Sequence, residues 1–341
     1  MADSGEEAGG SAGLFLSTTR TGGVSRAFRR TDGSWSVSRH LAEADVRCLA
    51  ADPRNPWIVF AGTQGAGVYK SDDAGETWQA AGLAGRVVKT LAVSRLGTLY
   101  AGTKPAYLFV SPDHGSTWTE LDGFRRIRSR WFWFSPAELP FQAYVQALAI
   151  SPDDPRVILA GIEAGAVVRS DDGGETWTNH RPGALRDCHS LTFHATDGAW
   201  SYQGGSWPRS GGVAISTDAG QTWTRPKGGI DRTYGWAVAA DPAHPEICYV
   251  STAPGPGAAH GGRANAAIYR REGTRWARLR AGLPDPLDAM PYALLTDIHQ
   301  PGRVYAGLAT GVIYFSSDHG DTWHRLPVEL SGIRSLVMLH I

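Results

Sequence analysis

The chain is poor in cysteine, methionine and charge. Its three cysteines, Cys48, Cys188 and Cys248, are too few and too odd in number for a disulfide framework. Each sits in an apolar run, where a buried thiol is expected. Lys+Arg and Asp+Glu number 33 each, so no basic excess points to nucleic acid or an anionic membrane surface. No apolar stretch reaches the length of a membrane span. The opening residues, MADSGEEAGGSAG, lack a basic segment followed by an apolar one, so no secretory signal is expected. The expectations that follow are a disordered leader over residues 1–12, a cytoplasmic location, and neither nucleic acid nor membrane as a partner.

Glycine and tryptophan are plentiful, 42 and 13 residues. That mixture supplies tight turns and aromatic packing points and suits helices poorly. Apolar residues make up 42%, enough for a large core without cross-links.

The dominant pattern is a repeat. Ser-x-Asp-x-Gly-x-Thr-Trp occurs five times, at 71–78, 111–118, 170–177, 216–223 and 316–323. Trp35 and Trp276 close two degraded copies. The seven tryptophans are spaced by 43, 40, 59, 46, 53 and 47 residues. Ahead of each motif lie an apolar run, a Pro/Asp turn and a second apolar run, often ending in Ala-Gly, as in VRCLAADPRNPWIVFAG at 46–62. A third strand leads into the motif and a fourth is expected to begin at its Trp. Four short strands per forty to fifty residues make a propeller blade.

The expected fold is therefore all-β, a single seven-bladed β-propeller over 13–341. Its blades fall near 13–40 plus 333–341, 46–82, 87–122, 145–182, 187–228, 234–281 and 291–328. The first unit lacks an innermost strand and the run IRSLVMLHI at 333–341 supplies one, which would close the ring and remove a sheet edge.

The motif resembles the Asp-box, or BNR repeat, of sialidases and their propeller relatives. The resemblance covers nearly the whole chain after residue 13. It implies that each box is a hairpin turn between the third and fourth strands, on the face opposite the active site. Physics agrees: an Asp accepting backbone N–H bonds pins a turn, and Gly two residues later permits positive φ. Asp73, Asp113, Asp172, Asp218 and Asp318 are thus read as structural. A calcium loop would need flanking helices and a bidentate Glu at position twelve, which 170–181 lacks. No Phe/Tyr-Arg-Ile-Pro motif precedes Ser71, so sialidase activity itself is not expected. The chain also resembles the xyloglucan-degrading glycosidases and, in having one ring, the photosystem assembly factors.

Function is expected at the opposite channel mouth, where loops are elaborated in blades 4 to 7. The insertion 123–144 interleaves Arg125, Arg126, Arg128 and Arg130 with Trp131, Phe132, Trp133 and Phe134. It reads as a lid, or as the grip of a protein partner. His189 is the candidate acid/base, oriented by Asp187 two residues earlier on the same strand. Arg128, Arg232 and Arg263 are candidate anion clamps, and Trp207, Trp236 and Tyr234 candidate stacking platforms. Trp131, Glu163, Arg209, His260 and Tyr292 complete the candidate ligand-binding set. No cofactor is expected; a divalent metal on His189, His260, Asp187 and Glu163 is the minority reading. The expected ligand is small and polar or sugar-like, such as a glycan fragment. Hydrolysis or elimination, of a glycosidase-like hydrolase or lyase, is the accompanying chemistry. The alternative is a non-catalytic assembly scaffold using the 123–144 loop.

Overall fold

A computed structural model describes residues 13–18, 22–206 and 211–341. The expected leader lies outside the described residues, as do Trp207 and Arg209. The strands form seven antiparallel sheets. Blades 2, 3, 6 and 7 start from inner strands Val46–Asp52, Val87–Val93, Tyr234–Ala240 and Pro291–Thr296, and each runs outward through four strands in sequence order. Blades 4 and 5 start from Val145–Ile150 and Asp187–Phe193 and have three strands each. Neighbouring inner strands touch each other all the way round the axis.

Ring closure is as expected. Strand Leu336–His340 pairs with Gly13–Thr18, and the first sheet continues through Val24–Arg29 to Trp35–His40. Seven apolar clusters each join two adjacent blades. The cluster across the closure joins Phe15, Leu336 and Ile333 to Tyr305 and Ile313. The recurrent Ala-Gly now has a cause. A Cβ on Gly62 would lie 2.6 Å from Val88 Cγ1 of the next blade, and one on Gly102 would lie 2.7 Å from Val145. Glycine is needed so that neighbouring sheets can close up.

The Ser, Asp, Gly and Thr bonds of the motif turns recur in all five copies. In the first, the Ser71 hydroxyl donates to Asp73 Oδ1 (2.8 Å) and accepts from the Gly75 N–H (2.8 Å). The Thr77 N–H and hydroxyl donate to the two oxygens of Asp73. Ala74 and Gly75 both have positive φ, 55° and 88°. Trp78 Nε1 donates to the Gly75 carbonyl (3.0 Å), whereas Trp118 Nε1 reaches across to Ala81 of the preceding blade (2.8 Å). The Thr117 hydroxyl and N–H hold Asp113 down at about 2. At Asp172, partial burial pushes upward, but bonds from Thr176 and Ser170 win and leave it at about 2.

A fourth strand starting at the motif Trp is not what blades 4 and 5 contain. In blade 4, the Thr178 hydroxyl and His180 Nδ1 accept the Arg169 and Val167 N–H groups, replacing ladder bonds with side-chain ones. In blade 5 the ladder shrinks to one bridge, Ile215 to Thr224, because Pro226 lacks an N–H to continue it. The three cysteines are buried and unpaired, and burial pushes the Cys48 and Cys248 thiols up to about 12.

Candidate functional site

Antiparallel alternation places the motif turns at one end of the ring. The starts of the inner strands, and the loops from second to third strand, lie at the other. A cavity of about 1260 Å³ opens at that second end and is lined from every blade. The elaborated loops alone do not make it. Blades 2 and 3, whose loops are short, contribute Arg47 and Lys89.

The cause is a β-bulge near the start of every inner strand from blade 2 to blade 7. Register slips between Val46 and Cys48, Val88 and Thr90, Val145 and Ala147, Cys188 and Ser190, Gly235 and Val238, and Pro291 and Ala293. The extra residue is unpaired, and a bulge re-aims its side chain. The residues in those slips include Arg47, Lys89, Gln146, His189, Trp236 and Tyr292, and all six line the cavity. They form a belt that runs from cationic through amide and imidazole to aromatic.

Three belt neighbourhoods matter. His189 is 3% exposed, and its Nδ1 lies 2.6 Å from the Gly235 carbonyl. A carbonyl only accepts, so Nδ1 carries a proton and Nε2 is the nitrogen that faces the carboxylates. Nε2 stands 3.3 Å from Asp187 Oδ2 and 3.8 Å from Glu163 Oε2, in hydrogen-bond geometry with neither. Asp187 also accepts from the Ala164 N–H and the Ser206 hydroxyl. Burial pushes Glu163 up to about 7; Asp187 adds to this and His189 opposes it. Burial also pushes Asp187 upward, but the facing imidazole of His189 and the bonds from Ser206 and Ala164 leave it below the usual carboxylate range. Burial disfavours imidazolium at His189, yet the two carboxylates outweigh it and raise its pKa. The group can exchange a proton or hold a cation.

An aromatic wall adjoins it. His189 stacks on Trp236 at 4.7 Å, and Trp236 meets the edges of His260 and Tyr292 at 5.1 Å each. The short helix Pro256–His260 carries His260 between two tyrosines. Tyr292 donates to the Ala259 carbonyl (3.1 Å), so His260 Nδ1–H donates to Tyr292 (2.6 Å). The Tyr234 hydroxyl then donates to Nε2 (2.8 Å). Burial, with charge on His189 and Arg334, lowers the pKa of His260. Both of its nitrogens are engaged, so it is not the fourth metal ligand of the minority reading.

Across the channel the 123–144 insertion folds back over the mouth. Phe124 is fully buried against Trp133 and Trp177. Further on, Glu138 pairs with Lys89, and Lys104 Nζ donates to the Glu138 carbonyl (2.8 Å). Lys89 also lies over the Tyr144 ring at 4.6 Å. The insertion is thus half anchored; Trp131, Phe132, Phe134, Leu139 and Phe141 stay exposed.

The structure gathers Asp187, His189, Glu163, Tyr234, Trp236, His260 and Tyr292 around the cavity. It does not bring Arg128, Arg232 or Arg263 there. Arg232 is buried with its guanidinium engaged by Asp231, Asn265 and Tyr269, so it braces a loop instead of clamping an anion. Arg128 and Trp131 lie on the exposed part of the insertion, and Arg263 is exposed on a loop that Ala264 and Ala266 fasten to 287–288. Arg47, Lys89 and Gln146 were missed. Their signal was their phase, the same offset from the following strand as His189. Among the described residues, no helix is long and apolar enough to cross a membrane.

Comparison with known proteins places these features. The family described as "DUF6242 beta propeller domain" matches residues 8–231. No curated protein matches the sequence significantly. Among solved structures, an ancestral GH74 enzyme is 20% identical with a TM-score of 0.64, over 82% of this chain and 38% of its own. The GH74 xyloglucanase from Xanthomonas campestris is 22% identical with a TM-score of 0.60, over 82% of this chain and 45% of its own. This chain thus spans less than half of either enzyme. YCF48 from Cyanidioschyzon merolae is 14% identical with a TM-score of 0.57, over 86% of this chain and 94% of its own. These likenesses concern the fold.

Proposed function

The chain belongs to the DUF6242 beta propeller domain family, and from that premise we propose that it binds a small polar, sugar-like ligand at the mouth of its axial channel. One observation carries the reading: the bulge belt turns aromatic faces and buried polar groups into a single large cavity. Sugars are recognised in this way, with C–H faces on aromatic rings and hydroxyls on fixed polar groups. Trp236 and Tyr292 supply the ring faces. Gln146, Glu163, Asp187 and His189 supply the polar partners. The xyloglucanase among the structural neighbours acts on a glycan, which agrees with this choice of ligand class.

The test is calorimetric titration of the protein with a panel of neutral and acidic oligosaccharides. At least one is expected to bind, and Trp236→Ala to weaken it roughly 30-fold, about 2 kcal/mol, without loss of the β-sheet circular dichroism. Binding unchanged by Trp236→Ala, or a panel with no binder, would count against the channel as a saccharide site.

A second reading, an assembly scaffold, is favoured by the exposed side chains of Trp131, Phe132 and Phe134. Exposed aromatics of this kind anchor protein partners. On that reading a Trp131→Ala, Phe132→Ala double variant loses a co-purifying protein while saccharide titrations stay as they were.

A further inference from the structure

We propose that Glu163, Asp187 and His189 form a site for one divalent transition-metal cation, of the zinc or manganese class, open to the channel. The inference rests on the reading of the channel mouth as the functional site, and it names what the ligand would meet there.

The geometry points to a cation from three sides. First, His189 Nε2 is buried, makes no hydrogen bond and is aimed between two carboxylates. A buried nitrogen without a hydrogen bond is costly unless something else binds it. Second, the spacing fits. A tetrahedral ion with ligand bonds of about 2.0–2.2 Å sets its donor atoms about 3.3–3.6 Å apart. The nitrogen-to-oxygen separations here are 3.3 and 3.8 Å, and all three donor atoms lie within 4.8 Å of one another. Third, the outer support is in place. The Nδ1–H of His189 is tied to the Gly235 carbonyl, which fixes the ring with Nε2 inward. Asp187 is steadied by the Ala164 N–H and the Ser206 hydroxyl.

An imidazole nitrogen with two carboxylates selects borderline cations over calcium or magnesium, which prefer all-oxygen shells. Three protein donors leave at least one coordination position facing the cavity. An oxygen of a hydroxylated or carboxylate-bearing ligand, or water, would take it. His260 and the tyrosines stand beside this opening as hydrogen-bond partners and not as metal donors.

The experiment uses the full chain, stripped with a chelator and desalted. Zn²⁺ and, separately, Mn²⁺ are titrated by calorimetry, and crystals soaked in the bound metal are read for an anomalous peak. One equivalent is expected for at least one of the two ions, with the peak between the three side chains. Glu163→Gln and Asp187→Asn should each weaken binding roughly 100-fold while the metal-free variants keep the β-sheet circular dichroism of the wild type. His189→Ala removes a buried ring, so the two carboxamide variants, which keep shape, decide if it does not fold. Absence of a one-equivalent event with both ions would overturn the proposal. So would binding equally strong in the carboxamide variants, the outcome expected of a surface site such as His244 with Glu246. Repeating the saccharide titration with chelator present separates the two readings. Saccharide bound equally well by a protein that takes up no metal would sink the cation site and leave the ligand pocket standing.

Discussion

At the scale of single residues, the turn aspartates do more than their exposure suggests. Each accepts from a Thr N–H, a Thr hydroxyl and a Ser hydroxyl, as Asp218 does from Thr222 and Ser216. Losing such bonds at Asp218→Ala is expected to cost roughly 1–3 kcal/mol, read as a lower urea midpoint at unchanged slope. The pH dependence has a definite sign. Asp172 and Asp318 are held at about 2 against an ordinary 3.8. Their contribution is complete above about pH 4 and is lost as pH falls from there toward 2. Thermal melts from pH 5 to 2 should show a falling midpoint, and the fall should be shallower in an Asp172→Asn variant. A midpoint that is flat in the wild type, or equally steep in the variant, would contradict the role given to the carboxylate.

At the scale of elements, the insertion at 123–144 divides into an anchor and a free surface. Phe124 fills the space between blades 3 and 4, so Phe124→Ala should destabilise by ~3–5 kcal/mol. Trp131, at 91% exposure, should change stability by less than about 0.5 kcal/mol when made Ala. Comparable losses for both in denaturant titrations would refute the division. Elements also show what was legible in the sequence. The motif turns were, because Ser, Asp, Gly, Thr and Trp each have a fixed bonding task at a fixed offset. The placing of His189 and Trp236 at the channel was half legible, since they lie at inner-strand starts. Arg47, Lys89 and Gln146 were legible only by their phase, because a bulge is a slip in pairing with another strand and residue type does not mark it. Arg232 misled for the same reason: its partners Asn265 and Tyr269 lie more than thirty positions away. Blades 4 and 5 lost their fourth strand to side-chain acceptors and a proline, details that strand periodicity does not weigh.

At the scale of the whole molecule, the ring depends on one joint between distant segments. Ile333, Leu336 and Leu339 are almost fully buried there. At about 1.5–3 kcal/mol each, their burial contributes on the order of 5–9 kcal/mol. A whole domain has about 5–15 kcal/mol of net stability. Deleting 333–341 should therefore leave Gly13–Thr18 as a bare apolar edge and convert a soluble species into aggregates on size exclusion. A deletion product that stays monomeric with an unshifted melt would show the joint to be dispensable. The bulges have a different consequence at this scale. Each places one side chain at the axis; Arg47, Lys89, Gln146 and His189 stay outside the inter-blade clusters, whereas Trp236 and Tyr292 also pack against one, so the first four positions act as an alphabet with one letter per blade. A letter can be exchanged while the grammar of turns, glycines and tryptophans stays fixed. On the proposed reading of the channel as a ligand site, preference would be altered one blade at a time, by exchanges at these positions.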